Sequence, residues 1–101
     1  MFDHMKAELL FRDKYAYRDG AIREMVLWRL PHTDPERPHG LKYRLYYGGP
    51  GKCLVRYDNE RGKGDHRHYL NQEELYNWIS VRQLVDDFKA DIEKIRGAIN
   101  E

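Results

Sequence analysis

The sequence predicts an α+β domain: an antiparallel sheet of about five or six strands with one C-terminal helix packed on one face. Short segments of alternating apolar and polar residues, bounded by glycine and proline, indicate the strands, and one long apolar stripe at helical spacing indicates the helix. At 101 residues the chain has the size of one domain. We therefore assign residues 1–101 to a single domain, with residues 1–5 expected to be disordered.

The first two strands are predicted at residues 6–13 and 22–30, with the Arg18-Asp19-Gly20 turn signal between them. Residues 31–40 follow and contain three prolines and one glycine. Because proline fixes φ and lacks a backbone donor, such a segment cannot sustain a strand or a helix. We therefore expect a proline-rich loop at residues 31–40.

The next two strands, residues 41–47 and 53–58, are predicted to form an antiparallel hairpin around the glycine-rich turn 48–51. In each strand most apolar residues share one parity, which places their side chains in the core, whereas Leu54 falls on the opposite parity with Arg56 and Asp58. Cys53 falls on the apolar parity and is expected in the core. The opposite surface of the hairpin is then shared by Lys42, Arg44, Arg56 and Asp58.

The last third of the chain is predicted as a short strand at residues 65–69, a turn at 71–74 and the helix. Ser80 begins the helix as part of a capping box, in which its hydroxyl accepts from the Gln83 amide and the Gln83 side chain reaches back. Seven apolar residues then recur at helical spacing and must lie against the sheet. They are Val81, Leu84, Val85, Phe88, Ile92, Ile95 and Ile99.

Composition excludes several classes of protein. No apolar run approaches the roughly 20 residues of a membrane span, and the first residues lack the pattern of a signal peptide. The single cysteine, Cys53, can form neither an internal disulfide nor a cysteine-rich zinc site. We therefore expect a cytoplasmic protein.

Charge is unevenly distributed along the chain, although its formal net charge is only +1. Residues 37–69 carry eight Lys or Arg against three acids, whereas both flanking thirds are net acidic. Within this basic third, residues 56–69 combine arginines, a lysine, carboxylates, two histidines and two glycines. A basic surface of this kind suits a phosphate-containing ligand, and glycine allows the backbone to approach it closely.

The chemistry favoured by residues 56–69 is metal-independent RNA cleavage, without a cofactor. In an extended strand His66 and His68 share one face, about 6.6 Å apart along the chain. Two imidazoles can serve as acid and base near neutral pH, and Glu60 or Asp58 is an alternative base. The cations expected to bind the RNA phosphates are Arg44, Arg56, Arg61, Lys63 and Arg67.

Two other interpretations of the same segment remain open. His66 and His68 can begin a metal site, with Asp58 or Asp65 supplying oxygen ligands, although such His pairs are common by chance. The segment can also be a charged turn that keeps an edge strand from pairing with its neighbours. Elsewhere, His32 and His39 are expected to be solvated, and Tyr46 is a candidate base-stacking platform.

Residues 55–68, read as VRYDNERGKGDHRH, resemble the signature of the TumE family of toxins from bacterial toxin–antitoxin pairs. The resemblance extends from about residue 6 to residue 95 and includes residues 43–45 and the start of the helix at residues 80–84. It implies a small cytosolic toxin that cleaves RNA or otherwise blocks translation. It also implies a partner antitoxin with a helix-turn-helix domain.

The sequence thus predicts the toxin of a type II toxin–antitoxin system, acting as an endoribonuclease with His acid–base chemistry. The assignment of site residues depends on their chemistry rather than on the resemblance. The alternative is a non-catalytic module whose basic segment binds an acidic partner protein. A small sheet with exposed edges can also pair with a second copy, so a homodimer is a further possibility.

Overall fold

The computed structural model describes residues 6–60 and 62–100, with side chains as far as residue 97, so the prediction for residues 1–5 lies outside the described part. A six-stranded antiparallel sheet has its strands in chain order, followed by one helix. The elements are β1 (Glu8–Ala16), β2 (Ile22–Arg29), β3 (Leu41–Gly49), β4 (Lys52–Asp58), β5 (His66–Tyr69), β6 (Gln72–Leu75) and α1 (Val81–Asn100). The predicted α+β class is confirmed.

The core lies between the sheet and α1 and is rich in tyrosine. Alternation along β3 and β4 is as predicted: one parity is buried, whereas Lys42 and Arg44 of the other parity are exposed. Three apolar residues of the helix stripe are fully covered, and the Ile99 side chain lies outside the described part. The largest buried core side chains are Tyr43, Tyr47, Tyr57, Phe88, Leu45 and Leu84.

β6 replaces the turn that was predicted at residues 71–74. Tyr69 pairs with Gln72, so the turn consists of Leu70 and Asn71 alone. Leu70 has φ of +56°, the left-handed conformation that two-residue hairpin turns often require. The prediction was wrong because this turn lacks glycine and because glutamate is uncommon in strands.

A β-bulge at the β3–β4 turn reverses the expected placement of Cys53. Tyr47 pairs with Val55 and Gly48 with Cys53, so Leu54 has no partner. The extra residue shifts the alternation by one. Leu54 therefore packs against the core, whereas Cys53 is only half-buried. Gly48 is needed here, because a Cβ would lie 2.1 Å from the Lys52 carbonyl oxygen.

The helix begins as predicted, but only half of the capping box forms. Ser80 Oγ accepts from the Gln83 N–H at 3.0 Å. The Gln83 side chain does not reach back; its amide donates instead to Asp87 Oδ1 at 2.7 Å. A charged acceptor one turn further along the helix offers the stronger, charge-assisted hydrogen bond.

The far end of α1 is anchored to the turn between β1 and β2. Arg96 donates to Tyr47 Oη at 2.8 Å and pairs with Asp19 at 3.0 Å. Its guanidinium also lies 3.8 Å from the centre of the Tyr17 ring. The helix therefore crosses one face of the sheet from the β6 side to the β1–β2 turn, and we call the other face the helix-free face.

Asn59 closes the end of the β3–β4 hairpin. Its side chain is fully buried; Oδ1 accepts from the Tyr43 N–H at 3.0 Å and Nδ2 donates to the Leu41 carbonyl at 2.8 Å. The Asn59 side-chain amide thus hydrogen-bonds two backbone groups of β3, just past the residue at which β4 ends.

Replacing Asn59 by alanine leaves the Tyr43 N–H and the Leu41 carbonyl without these partners. We expect the free energy of unfolding, measured by urea denaturation, to fall by about 2–4 kcal/mol, the cost of such unpaired groups. The control is Asn77→Ala, since Asn77 is exposed. Equal stability of the two variants would contradict this role of Asn59.

Candidate active site

Two neighbouring rungs on the helix-free face of the sheet hold most of the predicted site residues. Strands in a sheet lie about 4.8 Å apart, and same-face residues of one strand about 6.6 Å apart. The six side chains therefore form one compact group, which we call the two-rung patch. The cross-strand register places Arg44, Asp58 and His66 in one rung and Tyr46, Arg56 and His68 in the other.

His66 is oriented by a backbone carbonyl. Its Nδ1 lies 3.1 Å from the Gly64 oxygen. Because a carbonyl oxygen only accepts, Nδ1 carries the hydrogen of this bond, which leaves Nε2 of the neutral ring as an acceptor. Gly64 has φ of +72°, so a residue with a side chain would be strained there. The loop before β5 thus prepares His66 to accept a proton at Nε2.

The patch contains acids as well as cations. Arg56 Nε lies 3.0 Å from Asp58 Oδ2, and a terminal nitrogen of Arg56 lies 3.9 Å from Glu73 Oε2. Arg44 places its guanidinium 5.3 Å from the centre of the Tyr46 ring. The ion pair orients Arg56. Because the Asp58 carboxylate is engaged by Arg56, His66 is better placed than Asp58 to act as a base.

Two depressions flank the patch. One, of about 600 Å³, is lined by Lys63, His66, Leu75 and neighbouring residues of β6. The other, of about 220 Å³, is lined by Glu60 together with Trp28, Lys42 and Arg44. Lys63 therefore lies beside His66, whereas Glu60 lines the separate depression on the β2–β3 side. Arg61, also predicted as a phosphate ligand, lies outside the described residues.

Arg67 does not join the other predicted site residues. It points to the helix side of the sheet, where Nε and a terminal nitrogen each donate to Asp91 of α1 at 2.9 Å. It also donates to Tyr57 Oη at 2.9 Å and to Glu74 at 2.8 Å. Alternation along β5 puts Arg67 opposite the two histidines, so it does not lie with the other predicted phosphate ligands.

The contacts around Asp91 favour the protonated forms of their partners. Burial, and then the hydrogen bond to Asp91, raise the pKa of the Tyr57 phenol. The hydrogen bond to Asp91 is also the main cause that raises the pKa of Arg67. These three side chains therefore join β4, β5 and α1 as a structural cluster.

His39 was expected to be solvated, but most of its side chain is covered, with Trp78 packed against the ring. The two ring centres are 4.1 Å apart, and 10% of the His39 side chain is exposed. Nδ1 accepts from the Leu41 N–H at 3.1 Å, and Nε2 lies 3.2 Å from Asp65 Oδ1. Both ring nitrogens are thus occupied, so this histidine anchors the proline-rich loop. Its partner Asp65 is 26 positions away, and no local signal identifies the pair.

Asp65 contacts Tyr43 as well as His39. The Tyr43 hydroxyl donates to Asp65 Oδ1 at 2.7 Å, and burial, followed by Asp65 itself, raises the pKa of Tyr43. Asp65, one of the two oxygen ligands considered for a metal site, therefore faces away from the two-rung patch, whereas Asp58, the other one, lies in it. Within residues 6–60 and 62–100 no group of three His, Cys, Asp or Glu side chains is arranged to hold a metal ion.

Comparison with known proteins identifies the family. A model of the family described as Toxin TumE matches residues 4–96. The chain belongs to the TumE toxin family. This confirms the resemblance of residues 55–68, and membership in a TumE toxin family implies an antitoxin partner. Neither the curated proteins nor the solved structures contain a match.

Among the residues that the structure describes, no helix of this TumE-family chain is long and apolar enough to cross a membrane.

Proposed function

We propose that this TumE-family toxin is a metal-independent endoribonuclease whose active site is the two-rung patch. The observation that carries the proposal is the arrangement of His66. Its Nδ1 is held by the Gly64 carbonyl at 3.1 Å, and His68 follows on the same face, with Arg56 opposite it in the ladder. An oriented imidazole beside a second imidazole and a guanidinium supports acid–base chemistry on a phosphodiester.

In the proposed reaction, Nε2 of His66 takes the proton of a ribose 2′-hydroxyl while the 2′-oxygen attacks the adjacent phosphorus. The bond from phosphorus to the 5′-oxygen breaks, and His68, which enters protonated, gives its proton to that oxygen. The products are a 2′,3′-cyclic phosphate and a 5′-hydroxyl end. Imidazole suits both roles because its ordinary pKa is near neutrality.

The cations of the patch stabilise the charge that develops on the phosphate. Arg56 is held in place by Asp58 at 3.0 Å, Arg44 is its neighbour across the rungs, and Lys63 lines the depression beside His66. A guanidinium can bind two phosphate oxygens at once, which favours Arg56 and Arg44 as the main ligands. Tyr46 offers a ring on which a base can stack.

A second candidate function is a non-catalytic module that binds an acidic protein partner. It depends on the same cations, since a guanidinium binds a carboxylate as well as a phosphate, and Asp58 and Glu73, which accompany Arg56, lower the positive charge that either ligand would meet. Such a module would bind RNA weakly and cleave none.

The proposed function is tested with the purified chain and a 5′-labelled RNA oligonucleotide in the presence of EDTA. We expect cleavage that leaves 2′,3′-cyclic phosphate and 5′-hydroxyl ends. Loss of activity on chelation would overturn the metal-independent mechanism. Intact RNA under all conditions would favour the protein-binding module instead.

RNA affinity should fall with salt, because each phosphate contact releases counterions. The three expected phosphate contacts are Arg44, Arg56 and Lys63. For single-stranded RNA, a plot of the logarithm of the association constant against the logarithm of the salt concentration should therefore have a slope of about −2. Lys63→Ala should reduce this slope by about 0.7. Lys89→Ala is the matched control, since Lys89 is exposed on α1. An affinity that does not change with salt would contradict phosphate binding.

A further inference from the structure

The two edges of the sheet differ in how well they resist pairing with another strand. At the β1 edge the ladder to β2 is interrupted by a bulge between Leu9 and Phe11, and Arg12 and Lys14 add charge. Bulges and basic residues are the usual protection of an edge strand. β6 pairs with β5 without irregularity, and all four of its residues are exposed. β6 is therefore the edge without a bulge; its own protection is its shortness and the negative charge of Glu73 and Glu74, which a basic strand would neutralise.

Large aliphatic side chains are exposed beside this edge. Leu75 is 76% exposed and Ile79 is 66% exposed. Both line a cleft of about 490 Å³ between β6 and α1, whose walls also include Tyr76 and Ala90. Adjacent exposed apolar side chains at the rim of a polar surface are typical of a protein interaction site.

The charge around the cleft is acidic. Glu74, Asp87 and Asp91 line it, with Arg67 as the cation among its lining residues. Glu73 adds a further carboxylate on the opposite side of β6. A strand that lies along β6 is therefore favoured if it brings Lys or Arg to these acids.

We propose that the β6 edge binds an extended segment of the antitoxin in which basic and apolar residues alternate, and that this segment becomes a seventh strand of the sheet. Main-chain hydrogen bonds to β6 supply affinity, and side chains at alternate positions supply specificity. The apolar side chains of the segment cover Leu75 and, past the end of β6, Ile79, and the basic ones, at the alternate positions, face Glu74 on the helix side of the sheet. A second copy of this chain fits poorly, because two β6 strands side by side would bring their glutamates together.

The bound segment would lie beside the proposed active site. Leu75 pairs with His66 and Glu73 pairs with His68, so β6 directly borders the two-rung patch. A strand added to β6 would thus stand about 10 Å from β5, at two strand spacings. The docking proposal depends on the edge, the apolar side chains and the acids, and not on RNA cleavage.

The test uses the full chain and a synthetic peptide of about seven residues, a usual strand length, in which lysine and valine alternate. Amide NMR shifts and hydrogen exchange locate its binding site. We expect shifts in β6 and in the residues that line the cleft, and slower exchange of β6 amides. Leu75→Ser with Ile79→Ser should weaken binding at least ~10-fold, the loss of two buried apolar contacts. Leu9→Ser on β1 is the matched control and should leave binding unchanged.

Each alternative gives a different result. Shifts at β1 or on the two-rung patch instead of β6 would overturn the proposal. Equal binding of a peptide that alternates glutamate and valine would overturn its charge requirement. Shifts at Leu75 and Ile79 without protection of β6 amides would indicate a helix rather than a strand as the occupant. Dimerisation that Leu75→Ser with Ile79→Ser abolishes would assign the edge to a second copy.

Discussion

Replacing His66 or His68 by alanine is expected to lower the rate of RNA cleavage by about 10²-fold or more, the usual contribution of a general acid or base. His66 loses the Nε2 that takes the 2′-hydroxyl proton, and His68 loses the proton for the leaving 5′-oxygen. Both residues are half-buried on the helix-free face, and the core lies on the other side of the sheet. The rate is measured with a labelled oligonucleotide at saturating RNA.

The matched control for these variants is His32→Ala, because His32 is exposed in the loop between β2 and β3. Its cleavage rate should equal that of the wild type, and all three variants should unfold at similar urea concentrations. The wild-type rate should pass through a maximum with pH, since one histidine acts unprotonated and the other protonated. If both single variants cleave as fast as the wild type, the assignment of the histidines is wrong.

Asp91→Ala is expected to lower the free energy of unfolding by about 2–3 kcal/mol. Loss of one partner from a buried ion pair commonly costs about 3–5 kcal/mol, and the 23% exposure of the Arg67 side chain reduces this figure. The change also removes the acceptor of the Tyr57 hydroxyl, which lies 2.6 Å from Asp91 Oδ2. Urea denaturation measures the effect. Asp86→Ala is the control, since the Asp86 side chain is 63% exposed.

A comparison of two arginine variants distinguishes an arginine that stabilises the fold from one that binds RNA. Arg67→Met should reduce stability as Asp91→Ala does, with RNA affinity unchanged. Arg56→Met should weaken RNA binding, because Arg56 lies in the two-rung patch. A stable Arg67→Met variant that no longer binds RNA would restore Arg67 to the phosphate ligands and contradict the role given to it here.

Hydrophobic alternation predicted the central hairpin and its faces. Apolar residues of β3 and β4 share one parity over several positions, and the turn between them fixes which residues stand opposite each other. Alternation was enough to predict that Arg44, Arg56 and Asp58 lie on one surface of the hairpin. It was also enough to predict that His66 and His68 lie on one face of their own strand. The helix was equally predictable from the sequence, because its apolar stripe and the Ser80 cap are local signals.

The contacts that were missed depend on distant residues or on one irregular position. The partner of Arg67 lies 24 positions along the chain, on the helix, and that of His39 lies 26 positions away. Cys53 lies outside the core because a single bulge shifts the alternation of side chains along β4. The sequence of the proline-rich loop gave no indication that Trp78 would cover most of the His39 side chain. Periodicity reports which face a residue takes, but tertiary packing decides which partner it meets.

The central claim is that the two-rung patch cleaves RNA through its histidines. Controlled expression of the wild-type chain and of the His66→Ala, His68→Ala double variant, followed by mapping of RNA 5′ ends, tests it most directly. We expect new 5′-hydroxyl ends and growth arrest with the wild type, and neither with the double variant at equal protein level. Growth arrest without new ends, or the same ends with both proteins, would contradict the claim.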